Sequence, residues 1–298
     1  MATTAALRPP LRRRLASFVH RRPWLKLSLL LGPPMGWMLL VYLGALLILF
    51  LAAFWRQDPV TSVVQREWGA QNFRTLVERE IYRIITLRTA GIALAATLAD
   101  ILLALPLAYY AARLATPKIR TAILLSITLP LWSSYLVRVY AWRVILADNG
   151  ALDWTLSKLQ LGALHLGFSN WSVWIVFVYL WLPYVMLPIY ASLERIPNSF
   201  VEASADLGAR WWITLRRVIV PIALPGIVAG SIFSFSLTLG DYIAPTLVGN
   251  TQFIGNVVYQ AQGVANNVPF AAAFAIVPVV IMAFYLLAAR RLGAFEAL

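Results

Sequence analysis

The fold is decided by the stretch SLERIPNSFVEASADLGARWWITLRRVIVP, which runs from Ser192 to Pro221. It connects two apolar runs, 171–193 and 218–240, and each run is long enough to cross a bilayer as a helix. Connections in compact domains are usually only a few residues long. A connection of this length with both acidic and basic side chains indicates a structured element outside the membrane.

The residue pattern of this stretch predicts a short helix followed by a turn. Ser199 and Glu202 have the spacing of a capping box, in which each side chain accepts a hydrogen bond from the other residue's backbone amide. Gly208 is the residue type that ends helices in the left-handed conformation. Residues 211–217 then predict a second short helix that returns to the membrane. Helical spacing places Phe200, Ala203, Ser204 and Leu207 on one face, and Glu202 and Asp206 on another.

The remainder of the sequence is typical of an integral membrane protein. Of its 298 residues, 61% are hydrophobic and 12% are charged, which is too little polar surface to cover a soluble globule. Because a helix of about 20 apolar residues crosses the hydrocarbon core, we predict an all-α fold with six transmembrane helices. The predicted spans are 28–55, 87–112, 120–146, 171–193, 218–240 and 269–289.

Charge predicts the orientation of these spans. The formal net charge is +13, and most of the Lys and Arg residues fall before the first span, near 113–120, in the 194–217 connection and at the C-terminal end. By the positive-inside rule these segments lie in the cytoplasm, as do both termini of a six-span chain. The positive charge is therefore explained by orientation and does not indicate a nucleic-acid partner.

These boundaries predict the organisation of the chain. The outer loop alternates charged and apolar residues from Phe73 to Ile85, which fits an amphipathic helix on the membrane surface and an ordinary solvated loop equally well. The predicted segments are a basic cytoplasmic N-terminus over 1–27, the first transmembrane helix over 28–55, an extracytoplasmic loop over 56–86, a transmembrane domain over 87–290 that contains the 194–221 loop, and a cytoplasmic tail over 291–298.

Enzymatic and metal chemistry are not indicated. The sequence has no Cys, and its two histidines, His20 and His165, are far apart, so we predict neither a metal site nor a catalytic group. No G-x-x-x-x-G-K-[ST] loop occurs to hold nucleotide phosphates. We therefore predict that the chain is not an enzyme and binds no cofactor of its own.

The connecting stretch resembles the EAA loop of permeases of type I ABC importers. The match consists of Glu202-Ala203-Ser204, three residues, Gly208, nine residues, and 218–221 in the form Val-Ile-Val-Pro, with Ser204 in place of the usual second Ala. The resemblance implies that the helix before Gly208 is a coupling helix that docks on a separate ATPase. The residues it implies for ATPase coupling are Ser199, Glu202, Ala203, Ser204, Asp206, Leu207, Gly208 and Pro221.

A longer run is similar to the spermidine/putrescine permease group, and to the first of its two permeases. It includes Leu193-Glu194-Arg195-Ile196-Pro197, Pro225-Gly226-Ile227 and Asp241-Tyr242-Ile243-Ala244-Pro245. This resemblance implies a bacterial inner-membrane location, a second permease, two ATPase copies that bind ATP and Mg²⁺, and an extracytoplasmic substrate-binding protein. A polyamine is the expected substrate, with aminophosphonates, opines, thiamine and ferric iron as alternatives. An ion-driven secondary transporter, and a membrane-embedded enzyme or scaffold, are the alternative classes.

Ionisable and aromatic residues within the spans are candidates for the substrate path. Asp100 falls near the middle of the second span, where an ionisable group is costly and usually functional; an ion pair with Arg138 and a substrate contact are both open. Asp241 and Tyr242 end the fifth span, where they fit either a site for a cationic amine or an interfacial cap. The candidates are Asp100, Trp132, Tyr135, Arg138, Trp181, Asp241 and Tyr242, although aromatic belts at membrane interfaces explain many such aromatic residues.

Overall fold

The computed structural model describes residues 23–58 and 61–291, and it divides the chain after Ala52 into two units. In the first unit the described residues form one helix, α1 (Pro23–Ala52), whose interior holds Pro33 and Pro34. At about 1.5 Å per residue, its thirty residues are long enough to cross a bilayer. The predicted N-terminus over 1–27 and tail over 291–298 lie largely outside the described residues.

The second unit begins with a hairpin and an amphipathic helix. Strands β1 (Arg56–Gln57) and β2 (Val64–Gln65) pair antiparallel, with Arg56 opposite Gln65. Helix α2 (Gln71–Glu78) follows, and it buries Leu76. A helix is therefore present in the 56–86 region, but it is shorter than the pattern from Phe73 to Ile85 predicts, because a new helix starts at Glu80.

Three long helices form the centre of this unit. They are α3 (Glu80–Tyr109, continued by a π-helical turn over Tyr110–Leu114), α7 (Asn170–Glu194) and α10 (Val220–Gly240). Gly226 and Gly230 let α10 approach α7 closely, because a Cβ at Gly226 would lie 2.5 Å from the Pro188 carbonyl oxygen and one at Gly230 would lie 2.8 Å from the Cα of Val185. Small residues four apart are a usual basis for helix packing in membranes.

The predicted third span, 120–146, is not one continuous helix. Helix α4 (Pro117–Thr128) runs into a 3₁₀ turn (Leu129–Trp132), and the chain bends by 100° before α5 (Tyr135–Leu146). Pro130 has no N–H to continue the helical bonding, and Ser133 closes the turn by donating from its amide and its hydroxyl to the Pro130 carbonyl oxygen at 3.1 and 2.7 Å. The described residues thus contain five helices long and apolar enough to span, and six if this bent pair counts as one.

We call the end of the bundle that carries the 194–217 connection the knob end, and the opposite end the far end.

The other helices are short, except for the last. The remaining elements are α6 (Ala151–Lys158), α8 (Asn198–Asp206), α9 (Trp211–Thr214) with a π-helical turn over Leu215–Ile219, α11 (Ile243–Val248), α12 (Ile254–Gly263) and the apolar α13 (Val268–Arg291).

Candidate functional site

Residues 196–217, which we call the knob, contain the predicted short helix. Helix α8 ends as the sequence predicts, because Gly208 adopts a left-handed backbone with φ +74°. The Gly208 amide donates to the Ala205 carbonyl oxygen at 2.8 Å, and the Ala209 amide donates to the Ser204 carbonyl oxygen at 3.1 Å. These two bonds form a Schellman motif, which satisfies carbonyl groups left free at the end of the helix.

The capping box predicted from Ser199 and Glu202 is wrong. Helix α8 begins at Asn198, and the cap position is Pro197, which offers no side-chain hydrogen bond. The extended backbone of Pro197, with ψ 144°, starts the helix before Ser199, so the Ser199 hydroxyl lies inside the first turn and not at its cap. The Asn198 side chain accepts a hydrogen bond from Arg113 instead, at 2.6 Å.

The predicted face of α8 divides into one buried and three exposed residues. The Ser204 hydroxyl is buried and lies 2.9 Å from the Thr214 hydroxyl, which is also buried. By contrast, 52% of Phe200 and 88% of Leu207 are exposed, and Ala203 is also exposed. Exposed apolar groups on a polar element outside the spans are typical of a surface that a partner covers. Glu202 and Asp206 are exposed beside them, and Pro221 is exposed in the first turn of α10.

A second cluster lies at the far end, just beyond α10, about 30 Å from the start of that helix at roughly 1.5 Å per residue. The Oδ1 of Asp241 accepts from the Ile243 amide at 2.8 Å and the Ala244 amide at 3.1 Å, and its Oδ2 accepts from the Tyr135 hydroxyl. Burial raises the pKa of the Asp241 carboxyl, and the hydrogen bonds from Tyr135, Ala244 and Ile243 oppose that rise. Asp241 therefore fastens α5 to the start of α11.

Aromatic side chains lie near this carboxylate. Tyr135 stacks on Trp181 with 6.1 Å between ring centroids and 17° between planes, and the Arg138 guanidinium lies 5.9 Å from the Tyr135 ring centroid. A cavity of about 340 Å³ opens beside Trp181, Asp241 and Tyr242. Within the described part of the chain, the buried Trp181 Nε1 and Arg138 Nε have no hydrogen-bond partner. We call Tyr135, Arg138, Trp181, Asp241 and Tyr242 the far cluster.

Two of the candidate residues for the substrate path lie apart from the far cluster. Trp132 is 86% exposed in the 3₁₀ turn that precedes α5. Asp100 is fully buried on α3, and its Oδ2 accepts from the Ser234 hydroxyl of α10 at 2.6 Å. No ion pair joins Asp100 to Arg138 among the described residues. Ser234 was not predicted as a partner, although Ser231, Ser234 and Thr238 form a helical stripe of small polar residues within an apolar span.

One group of side chains has the composition of a metal site. Ligand atoms of Asp148, Asp153 and His165 lie within 4.8 Å of one another. The buried Asp153 also accepts from the Leu164 amide at 3.0 Å and the Asn149 amide at 3.4 Å, so it helps to hold the loop after α6 in place. Spacing along the sequence did not reveal this group, because His165 meets the two carboxylates only through the fold.

The long apolar helices are those of a multi-pass membrane protein. The chain belongs to the family described as "Binding-protein-dependent transport system inner membrane component", whose model matches residues 28–294. Family membership confirms the predicted resemblance to type I ABC importer permeases, and with it a multi-pass inner-membrane subunit of an ABC importer. The chain is not an enzyme, because in such importers a partner ATPase hydrolyses ATP.

Named relatives and a solved structure agree with this assignment. The chain is 45% identical to the inner membrane ABC transporter permease protein YdcU of Escherichia coli, over 96% of this chain and 95% of that protein. It is 32% identical to the E. coli spermidine/putrescine transport system permease protein PotB, over 85% of this chain and 92% of that protein. A bacterial alginate ABC transporter, solved with an alginate pentasaccharide-bound periplasmic protein, shares the fold with a TM-score of 0.72. The match has 19% identity and covers 93% of this chain and 96% of that chain.

Proposed function

We propose that this permease conducts a polyamine, with putrescine or spermidine as the transported solute. The observation that carries the proposal is the far cluster, in which one carboxylate, Asp241, stands among Tyr135, Trp181 and Tyr242. A protonated amine is attracted both by a carboxylate and by the faces of aromatic rings. The 32% identity to PotB supports the same substrate class, whereas the name of YdcU states no substrate.

The far cluster contains both a negative and a positive side chain, and this favours passage of a cationic amine over its retention. Arg138 lies next to Tyr135 and places a positive charge in the same cluster as Asp241. A pathway must bind a solute strongly enough to admit it and weakly enough to release it. We infer that the cavity of about 340 Å³ beside Trp181 and Asp241 is a transient station for the amine. Asp100 and Trp132 belong to this proposal only as more distant members of the path.

The knob is the proposed docking element for the ATPase. Leu207 and Ala203 offer an apolar contact, Glu202 and Asp206 offer charge beside it, and the Schellman motif at Gly208 fixes the end of the helix. Ser204 acts from the inside, through Thr214. The proposed coupling set is Ser199, Glu202, Ala203, Ser204, Asp206, Leu207, Gly208 and Pro221.

The proposed assembly contains this chain, a second permease and two copies of an ABC ATPase, which bind ATP and Mg²⁺. A substrate-binding protein would deliver the solute on the outer side, as the family description implies. Both termini would be cytoplasmic, because the basic segments, including the knob, then lie inside. The lipid bilayer is a further proposed partner, and nucleic acid has no part in the proposal.

The experiment that tests the substrate uses the whole transporter with its binding protein, reconstituted in proteoliposomes. We expect radiolabelled putrescine or spermidine to bind the binding protein and to stimulate ATP hydrolysis. Aminophosphonate, opine, thiamine and ferric iron are assayed in parallel. Stimulation by one of these, with no binding of either polyamine, would overturn the polyamine proposal and leave the importer assignment intact.

A further inference from the structure

Arg113 ties the start of α8 to α3. It lies in the π-helical turn that ends α3 at the knob end. Its guanidinium donates through Nη1 to the Asn198 side-chain oxygen at 2.6 Å and through Nη2 to the Ile196 carbonyl oxygen. These two residues flank Pro197, where the chain leaves α7 and enters α8. The first turn of the docking helix is thus fastened to a helix that is distant from it in sequence.

A second tie holds the other half of α8. The hydroxyls of Ser204 and Thr214 lie 2.9 Å apart, and both residues are buried. Thr214 ends α9, which continues through the π-helical turn over Leu215–Ile219 into α10 without a break. Helix α8 is therefore held at its start by α3 and near its end by the helix that becomes α10.

The two helices reached by these ties share further features. Each has a π-helical turn next to the knob, and these are the two π-helical turns in the described part of the chain. Such turns are often found at functional sites. The hydrogen bond from Ser234 to Asp100 joins the same two helices near the middle of the bundle, and α10 ends at Gly240, next to Asp241 of the far cluster. A displacement of α8 has a continuous route of packed and bonded groups to the far end.

We propose that Arg113 and the Ser204–Thr214 pair form a two-point clamp that makes α3 and α10 move together when α8 is displaced. In this proposal Arg113 is a positioning residue for coupling and touches neither ATP nor the transported solute. The inference rests on the proposed docking of α8 on an ATPase. Without the Arg113 tie, movement of α8 would reach α10 alone, and the far end would respond less.

A neighbouring arginine provides a matched control. Arg120 in α4 also lies at the knob end and forms an ion pair with Glu194 at 3.0 Å. Its side chain and that of Glu194 are 40% and 44% exposed, and exposed ion pairs contribute little to stability. Loss of Arg120 removes the same charge from the same end of the bundle but does not release α8.

The test measures how the far end responds to nucleotide in the tagged, purified complex. The substitution Ser236→Cys introduces a label site in the lining of the far-end cavity, and the sequence otherwise contains no Cys. Its labelling rate with a water-soluble maleimide is compared with and without ATP and vanadate. We expect Arg113→Ala to reduce the nucleotide-dependent change in labelling rate about fivefold or more. A factor of about five is the lower end of the typical range for coupling between two sites. Arg120→Ala keeps the change, and Asn198→Asp also keeps it because an acceptor for Arg113 remains.

The outcomes separate this inference from the proposed function. Co-purification of the ATPase is measured for every variant, and we expect Arg113→Ala to retain it, together with basal ATP hydrolysis. An unreduced response in Arg113→Ala would overturn the clamp and leave docking intact. Equal losses in Arg113→Ala and Arg120→Ala, or loss of the ATPase from both, would also overturn it. Failure of the unmutated chain to retain an ATPase would overturn the docking proposal and the clamp together.

Discussion

The knob and the far cluster differ in how far apart in sequence most of their bonded residues lie. In the knob, Ser204 and Thr214 are ten residues apart in sequence, and the Gly208 motif closes over a few residues. In the far cluster, Tyr135 and Asp241 are 106 residues apart, and Trp181 comes from a third helix. The proposed coupling element is therefore closed at its end by local bonds, with Arg113 as its long-range tie at the start, whereas the proposed substrate path depends throughout on how distant helices pack.

The largest expected effect comes from Gly208→Trp in the knob. A side chain at φ +74° costs about 1–2 kcal/mol, and the indole would also cover the proposed docking surface. We expect ATP-dependent uptake to be abolished. Gly162→Trp is the matched control, because Gly162 has φ +77° and, like Gly208, has open space where its Cβ would be. Equal loss of uptake in both variants would show that backbone strain, and not docking, is responsible.

The second effect concerns the far cluster. Asp241→Asn keeps an oxygen for the Ile243 and Ala244 amides but removes the negative charge. We expect putrescine uptake to fall about tenfold, which corresponds to about 1.4 kcal/mol, while the ATPase still co-purifies. Asp148→Asn, which removes an exposed carboxylate elsewhere, serves as the control in the same uptake assay. Unchanged uptake in Asp241→Asn would restrict Asp241 to its role as a cap for α11.

A smaller effect is expected from Ser204→Ala. The substitution leaves the buried Thr214 hydroxyl without this partner, at a cost of about 1–3 kcal/mol. We expect a lower thermal midpoint of the purified complex and severalfold slower uptake. The double variant Ser204→Ala/Thr214→Val removes both hydroxyls and should recover part of the midpoint. If the double variant is less stable than the single variant, the hydroxyl pair is not the cause of the loss.

The smallest effect is expected from Asp100→Asn. Its amide oxygen can accept from Ser234 as the carboxylate does, so we expect uptake and thermal midpoint to stay near those of the unmutated chain. Asp100→Leu leaves the Ser234 hydroxyl without this acceptor in an apolar bundle and should lower the midpoint. Abolished uptake in Asp100→Asn, with a normal midpoint, would favour a charged contact between Asp100 and the substrate.

The contrast between the knob and the far cluster also explains how much of the fold and of the site the sequence alone could predict. Apolar runs of sufficient length predicted the helical membrane fold, and the Gly208 ending of α8 was predicted because both depend on neighbouring residues. The start of α8 was misplaced, since it depends on Pro197 and on Arg113, which reaches Asn198 from another helix. The bend at Ser133 was missed because hydropathy averages over the 3₁₀ turn that contains Pro130.

The far cluster was predicted only as separate residues. Tyr135, Trp181 and Asp241 were each candidates, but nothing in their spacing indicated that a Tyr hydroxyl would bond to the carboxylate. Asp100 was considered with Arg138 because both are charged, whereas its partner is the neutral Ser234. Pairings across helices require the three-dimensional packing, and this is why the substrate is less evident from sequence than the coupling element.

The most direct test of the account is photocrosslinking from the exposed face of α8 in intact membranes. Benzoylphenylalanine replaces Ala203, which is exposed beside the Schellman motif, and in a parallel sample it replaces Leu161, an exposed residue in the loop after α6. The account predicts that mass spectrometry identifies an ABC ATPase in the adduct from position 203 and none from position 161. An adduct without an ATPase from position 203, or the same ATPase adduct from both positions, would contradict docking at the knob.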